Sequence, residues 1–205
     1  MTEQLEAGDF GEWAVTLRRA LRGDASSDVP CDGCTACCTA SQFVPVDPDE
    51  SDALAHIPGD MLFPAPGMPP DHLLMGYDAH GACPMFVDGG CSIYEHRPRA
   101  CRVYDCRIFA ATGVDVADDG KPEVAARVQR WRFSYATPGD EALERSMHRA
   151  AAFLDEHPEC AGDGATTGLN ASNRAAAAVA IASRFANDAT PSVNELRAEL
   201  QARRV

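Results

Sequence analysis

Eight of the nine cysteines in this chain fall between Cys31 and Cys106. That density belongs to disulfide or metal scaffolds, while a chain of 205 residues can bury a core without such staples. The compartment decides between the two. The start, Met1-Thr-Glu-Gln-Leu-Glu-Ala-Gly-Asp, is acidic and polar, with neither the basic nor the apolar segment of a secretory signal. No stretch approaches the ~18 consecutive apolar residues of a membrane span. A cytoplasmic location is therefore expected, where thiols stay reduced. Metal is the better explanation of the cluster.

The spacing of the thiols supports this. Cys31, Cys34 and Cys37 follow one another at two-residue intervals, which lets tight turns bring three sulfurs around one ion. Cys38 is adjacent to Cys37, and neighbouring side chains point apart in most backbone conformations. The pair is expected to serve two centres, or one bridged centre. Cys83, Cys91, Cys101 and Cys106 complete a set of eight, enough for two four-thiolate shells. Tetrahedral zinc fits paired cysteines, and an iron–sulfur cluster such as [4Fe–4S] fits the closely spaced run; one or two centres are open. Arg97, Arg99, Arg102 and Arg107 stand beside the ligands and are expected to donate N–H groups to sulfur. His80 and His96 are possible extra ligands. His56, His72, His148 and His157 carry no such signal, and Cys160 reads as a small buried hydrophobe.

The charge narrows the partners. The formal net charge is −13, from 31 acids against 18 bases. Only residues 83–110 carry a basic excess, with four arginines against Asp88, Glu95 and Asp105. Such a balance argues against nucleic acid, no membrane contact is expected, and no protein partner can be read.

The periodicity predicts mainly α structure with short β pieces, an α+β chain in which an irregular, metal-stapled cysteine module packs against helices. Residues 8–22 form an amphipathic helix through Phe10, Trp13, Leu17 and Leu21. Phe43, Val44 and Val46 suggest a brief strand, as do Leu73–Tyr77 and Met85–Val87. Asp47-Pro48-Asp49-Glu50 reads as a helix start, with Asp47 as cap and Pro48 at the first position. The Pro-rich residues 58–71 can only be loop. Pro98 opens a helix expected to carry both Cys101 and Cys106. A strand over Val128–Tyr135 competes with a helix from Pro122, and helices follow over 137–157, 170–187 and from Thr190. Three parts result: an N-terminal helix (1–23), a cysteine module (24–112) and a helical region (113–205).

No P-loop, GxGxxG, Gly-x-Ser-x-Gly or His-Glu-x-x-His pattern occurs. Asp118-Asp119 and Asp155-Glu156 read as solvated turns and helix ends. A redox reading of Cys31 and Cys34 lacks the preceding strand of a thioredoxin-like unit. No catalytic constellation is readable.

Three motifs carry a resemblance: Cys31-Asp-Gly-Cys34-Thr-Ala-Cys37-Cys38, Gly81-Ala-Cys83-Pro84-Met85-Phe86, and Cys91-Ser-Ile93-Tyr94-Glu95-His-Arg97-Pro98-Arg-Ala-Cys101-Arg102-Val-Tyr104-Asp-Cys106. They resemble the CxxCxxCC family, also called YkgJ-like, of zinc- or iron-chelating proteins, over roughly residues 31 to 110. The resemblance implies a metal-chelating cysteine cluster and no particular activity. Family members often have Gly where this chain has Thr35, and Pro where it has Asp105; neither change removes a ligand. Apart from the family, Arg97 can pair with Glu95, and Ile93 with Tyr94 can cover the metal.

Three functions follow: a metal-binding protein whose cysteines hold zinc or iron; an iron–sulfur oxidoreductase or methyl-transfer component; and a zinc-finger-like nucleic-acid binder, which the acidity opposes. Serine at Cys37 or Cys101 is expected to lower metal content and stability, and serine at Cys160 to change neither.

Overall fold

A computed structural model describes residues 3–27, 29, 33–117, 120–161 and 169–203. Cys31 and the Asp118-Asp119 pair lie outside the described residues. The chain is 52% helical with 12% strand in small sheets, an α+β arrangement as expected.

Strand β1 (Leu5–Asp9) leads directly into helix α1 (Phe10–Leu21). Asp9 caps that helix by accepting the Glu12 N–H at 3.0 Å, and Phe10, Trp13, Ala14 and Leu17 turn inward. β1 pairs in parallel with the distant strand β7 (Trp131–Ser134). Gly8, at φ +89°, allows a register shift between Glu6 and Gly8. The buried Ala7 carbonyl between them accepts Arg107 Nη1 at 3.0 Å.

The middle of the chain builds a smaller assembly. Strands β2 (Val44–Val46), β3 (Leu62–Pro64) and β4 (Leu73–Met75) form an antiparallel sheet with β4 in the centre. Helix α2 (Ser51–His56) lies between β2 and β3 in sequence. β5 (Phe86–Val87) and β6 (Gly90–Cys91) make a minimal hairpin. Val46, Ala53, Ile57, Met75, Met85 and Ile93 form a core here, against which Cys83 and Cys91 pack.

Two expectations fail in this part. Residues 58–71 contain β3, because the chain after Pro58 is pinned to β4 as an edge strand, a position that tolerates Pro64. The helix expected from Pro48 begins only at Ser51. The Glu50 carboxylate accepts the Asp47 N–H at 2.9 Å, but this bond closes a turn. Glu50 is buried, and its other oxygen accepts the Arg99 N–H at the start of the next helix.

That helix, α3 (Arg99–Val103), carries Cys101. Cys106 is on neither α3 nor its continuation. It stands as the cap of a separate helix, α4 (Arg107–Thr112), which Gly113 ends in a left-handed conformation. Between the two helices, the Asp105 carboxylate is 4% exposed and fully engaged. It accepts Trp13 Nε1 at 3.0 Å, Ser27 Oγ at 2.7 Å and Arg107 Nη2 at 2.7 Å. A buried carboxylate with so many donors fixes the break where it occurs.

After α4, both competing readings of residues 122–135 prove real: α5 (Pro122–Val128) precedes β7. Helices α6 (Pro138–Glu156), α7 (Ala171–Ile181) and α8 (Val193–Arg203) follow, with 3₁₀ turns at Pro158–Ala161 and Ala182–Asp188. Met147, Ala150, Ala151 and Leu154 of α6 are buried, as the periodicity predicts, against the alanine-rich α7. This larger core runs from Ala7 to Leu200 and includes Cys106 and Cys160.

Candidate metal centre

The first thiols sit on a 3₁₀ turn, Ala36–Thr39, that packs on α5. Cys37 is exposed and Cys38 half-buried, so the adjacent pair does face different surroundings. The Cys38 carbonyl accepts the Cys83 N–H at 2.7 Å, which ties the two halves of the cysteine set together. This crossing needs Gly81. Its φ is +80°, and a side chain there would collide with the Ser41 hydroxyl, while the Gly81 carbonyl accepts the Ser41 N–H at 2.9 Å.

From Cys83 the chain makes a tight turn. The Phe86 N–H reaches the Cys83 carbonyl at 2.8 Å, and the backbone N–H groups of Met85 and Phe86 favour the charged form of the Cys83 thiol. Hydrogen bonds of this kind hold down the charge of a metal-bound thiolate. The hairpin then sets Cys91 opposite Phe86 in register. Cys101 approaches from α3.

The electrostatics report the convergence. Burial first, and then the neighbouring thiols of Cys83, Cys38 and Cys91, push the Cys101 thiol up to about 12; Arg97 opposes them. The Cys83 thiol is raised as well, by burial first and by Cys91. The thiols of Cys83, Cys38 and Cys91 are thus near enough to act on Cys101, although among the described residues no three sulfurs lie within 4.8 Å of one another. A divalent cation would relieve this mutual repulsion and stabilise all four as thiolates. The donor set fits zinc or iron.

Cys106 lies in the larger core. It is 7% exposed, and its sulfur accepts the Trp131 indole N–H at 3.2 Å. Cys34 is half-buried on the approach to the 3₁₀ turn. Cys160 is buried beneath the 3₁₀ turn at Pro158–Ala161, and burial raises its thiol. That is the small-hydrophobe position expected of it.

The four arginines also meet oxygen acceptors near the cluster. Arg99 pairs with Asp47 and Asp49, Arg102 approaches the Glu50 carboxylate at 3.8 Å, and Arg107 clasps Asp105. Arg97, expected beside Glu95, lies 3.6 Å from the centre of the Tyr94 ring and donates to the Tyr94 carbonyl. Carboxylates and carbonyls are stronger acceptors than thiols, and this loop supplies them nearby. Ile93 is buried, as apolar cover requires, whereas Tyr94 is 54% exposed.

Of the two histidines singled out, His80 is exposed, and its backbone N–H donates to the Asp78 carboxylate. His96 instead meets Asp52 and His56. Among the described residues, that is the group whose three ligand atoms lie within 4.8 Å of one another. The sequence gives His56 no distinction, because its partner is forty residues away along the chain.

One comparison with known proteins concerns this cysteine-bearing stretch. Residues 30–124 match the CxxCxxCC family. The family is described as a "Putative zinc- or iron-chelating domain". The match starts one residue before Cys31 and ends within α5, so it spans every cysteine of the set and the wall on which the first 3₁₀ turn rests. It bears out the resemblance carried by the motifs. No curated protein and no solved structure matches the chain. Among the described residues, no helix is long and apolar enough to cross a membrane.

Proposed function

We propose that the CxxCxxCC domain binds metal through two thiolate centres. Cys38, Cys83, Cys91 and Cys101 hold one; Cys31, Cys34, Cys37 and Cys106 hold the other. The observation that carries this reading is the crowding of three thiols around Cys101. Burying four ionisable sulfurs together costs free energy unless a cation compensates them. The second set follows from the different surroundings of Cys37 and Cys38, with Cys106 in the core against which the 3₁₀ turn packs.

Either zinc or iron serves as the ion, in a cytoplasmic protein with no nucleic-acid partner. The metal is structural: its binding supplies folding free energy to a module with little apolar core. An iron–sulfur oxidoreductase or methyl-transfer component is the alternative, and the closely spaced run of thiols favours it.

Metal analysis of anaerobically purified protein tests both. About two zinc ions in a colourless chain excludes the alternative, and a brown chain with iron and sulfide supports it. Serine at Cys38, Cys83, Cys91 or Cys101 should each remove one centre, and serine at Cys34, Cys37 or Cys106 the other. Cys160→Ala should keep both. Equal metal loading across all of these variants would sink the ligand assignment.

A further inference from the structure

Asp52, His56 and His96 form a cluster that uses no cysteine. Asp52 and His56 are four residues apart on α2 and so share one face of it. His96 ends a 3₁₀ turn, Tyr94–His96, that packs on α2. His96 Nδ1 lies 3.0 and 3.2 Å from the two Asp52 carboxylate oxygens. His56 Nδ1 lies 2.8 Å from the Asp52 carbonyl and 3.8 Å from its carboxylate. The two imidazoles stack in parallel, with centroids 3.5 Å apart and 4° between planes.

We propose that Asp52, His56 and His96 bind one exchangeable first-row divalent transition ion, at a site distinct from the thiolates. Two imidazoles and one carboxylate are a three-ligand set suited to Zn²⁺, Ni²⁺, Cu²⁺ or Fe²⁺, and poorly suited to Mg²⁺ or Ca²⁺. One donor atom from each residue lies within 4.8 Å of the other two; the nitrogen lone pairs of the stacked rings lie in parallel planes, so one imidazole must turn out of the stack for both to meet one ion. Three protein ligands leave coordination positions for water. The side chains of His56 and His96 are 41% and 40% exposed, so the ion can enter and leave from solvent.

The scaffold on either side is fixed. Glu50, immediately before α2, is buried and tied to the Asp47 N–H and to the Arg99 N–H. The turn that carries His96 is followed by Pro98 and α3. Arg102 is the cation nearest to Asp52 in electrostatic effect after the histidines, and it leans toward the Glu50 carboxylate at 3.8 Å. Its charge is thereby partly compensated. The proposal draws on no thiol and stands or falls apart from the thiolate reading.

Calorimetric titration of Ni²⁺ into the full chain, purified with its thiol-bound metal in place, tests it. The expected result is one saturable equivalent, weakened at least tenfold in His56→Gln and again in His96→Gln. Both variants should keep the thiol-bound metal and the melting temperature of the parent. His80→Gln should bind Ni²⁺ like the parent. No saturable Ni²⁺ uptake by the parent would overturn the proposal, as would equal affinity in His56→Gln and His96→Gln.

Discussion

The two cores of this protein are built on different terms. The larger one joins α1, α4, α6, α7 and α8 through Phe10, Trp13, Phe109, Met147, Leu196 and many alanines, and it is held by apolar area. The smaller one buries six side chains, none larger than Met, beneath three-residue strands and a two-residue hairpin. Sheets of that size do not stand alone in water. Where the larger region gathers aromatic rings, the smaller gathers sulfur. Cys83 and Cys91 pack against the core that has little apolar volume, whereas Cys106 and Cys160 are absorbed into the one that has much.

Stripping the metal is the sharpest way to break the comparison. Chelation should loosen residues 44–103 and leave α6 and α7 protected, because structural zinc supplies about 10 kcal/mol or more to such modules. Hydrogen exchange followed by mass spectrometry reads this region by region. Uniform loss of protection in both regions would mean that the cores are not separate in this sense.

Asp105→Asn should act in the opposite place. It removes the charge that Arg107 needs in a buried setting, at a cost of about 3–5 kcal/mol. The melting temperature should fall while the metal content stays that of the parent. Loss of all metal in this variant would show that the joint, and not the thiol set, governs binding.

The smallest effect concerns Tyr135, stacked on Phe10 of the larger core. Burial and the Glu144 carboxylate, which accepts its hydroxyl at 2.8 Å, push its phenol up to about 12 from an ordinary 10.0. The unfolded chain therefore loses this proton first as pH rises. The contribution is whole below pH 10 and disappears as pH climbs toward 12. The ring is partly exposed, so the loss should stay under about 1 kcal/mol. In metal-loaded protein, Tyr135→Phe should lose less stability than the parent over that interval, as read by urea titration.

What the sequence made legible follows from range. The Phe10, Trp13 and Leu17 periodicity, the α6 face through Met147 and Leu154, and Pro98 as a helix opener are local signals, and each appears in the structure, while Leu21, expected on the same face of α1, is exposed. The thiol set was readable from its spacing. Its grouping was not, because Cys38 meets Cys83 through a backbone crossing that no spacing encodes. β1 was missed for the same reason: Leu5 finds Trp131 only after the whole cysteine module has been traversed. Glu50 misled because its side chain satisfies two N–H groups at once, one of them on α3. His56 was invisible until His96 was laid against it.

The protein has two tryptophans, and their indole N–H groups end on consecutive residues: Trp13 on Asp105 and Trp131 on Cys106. Tryptophan fluorescence from this chain therefore reports on one short stretch, Asp105-Cys106. Trp131 has a sulfur atom 3.2 Å from its ring nitrogen, and whatever that sulfur gains or gives up should alter the brightness of its neighbour. The molecule carries its own optical gauge at the junction between its two halves.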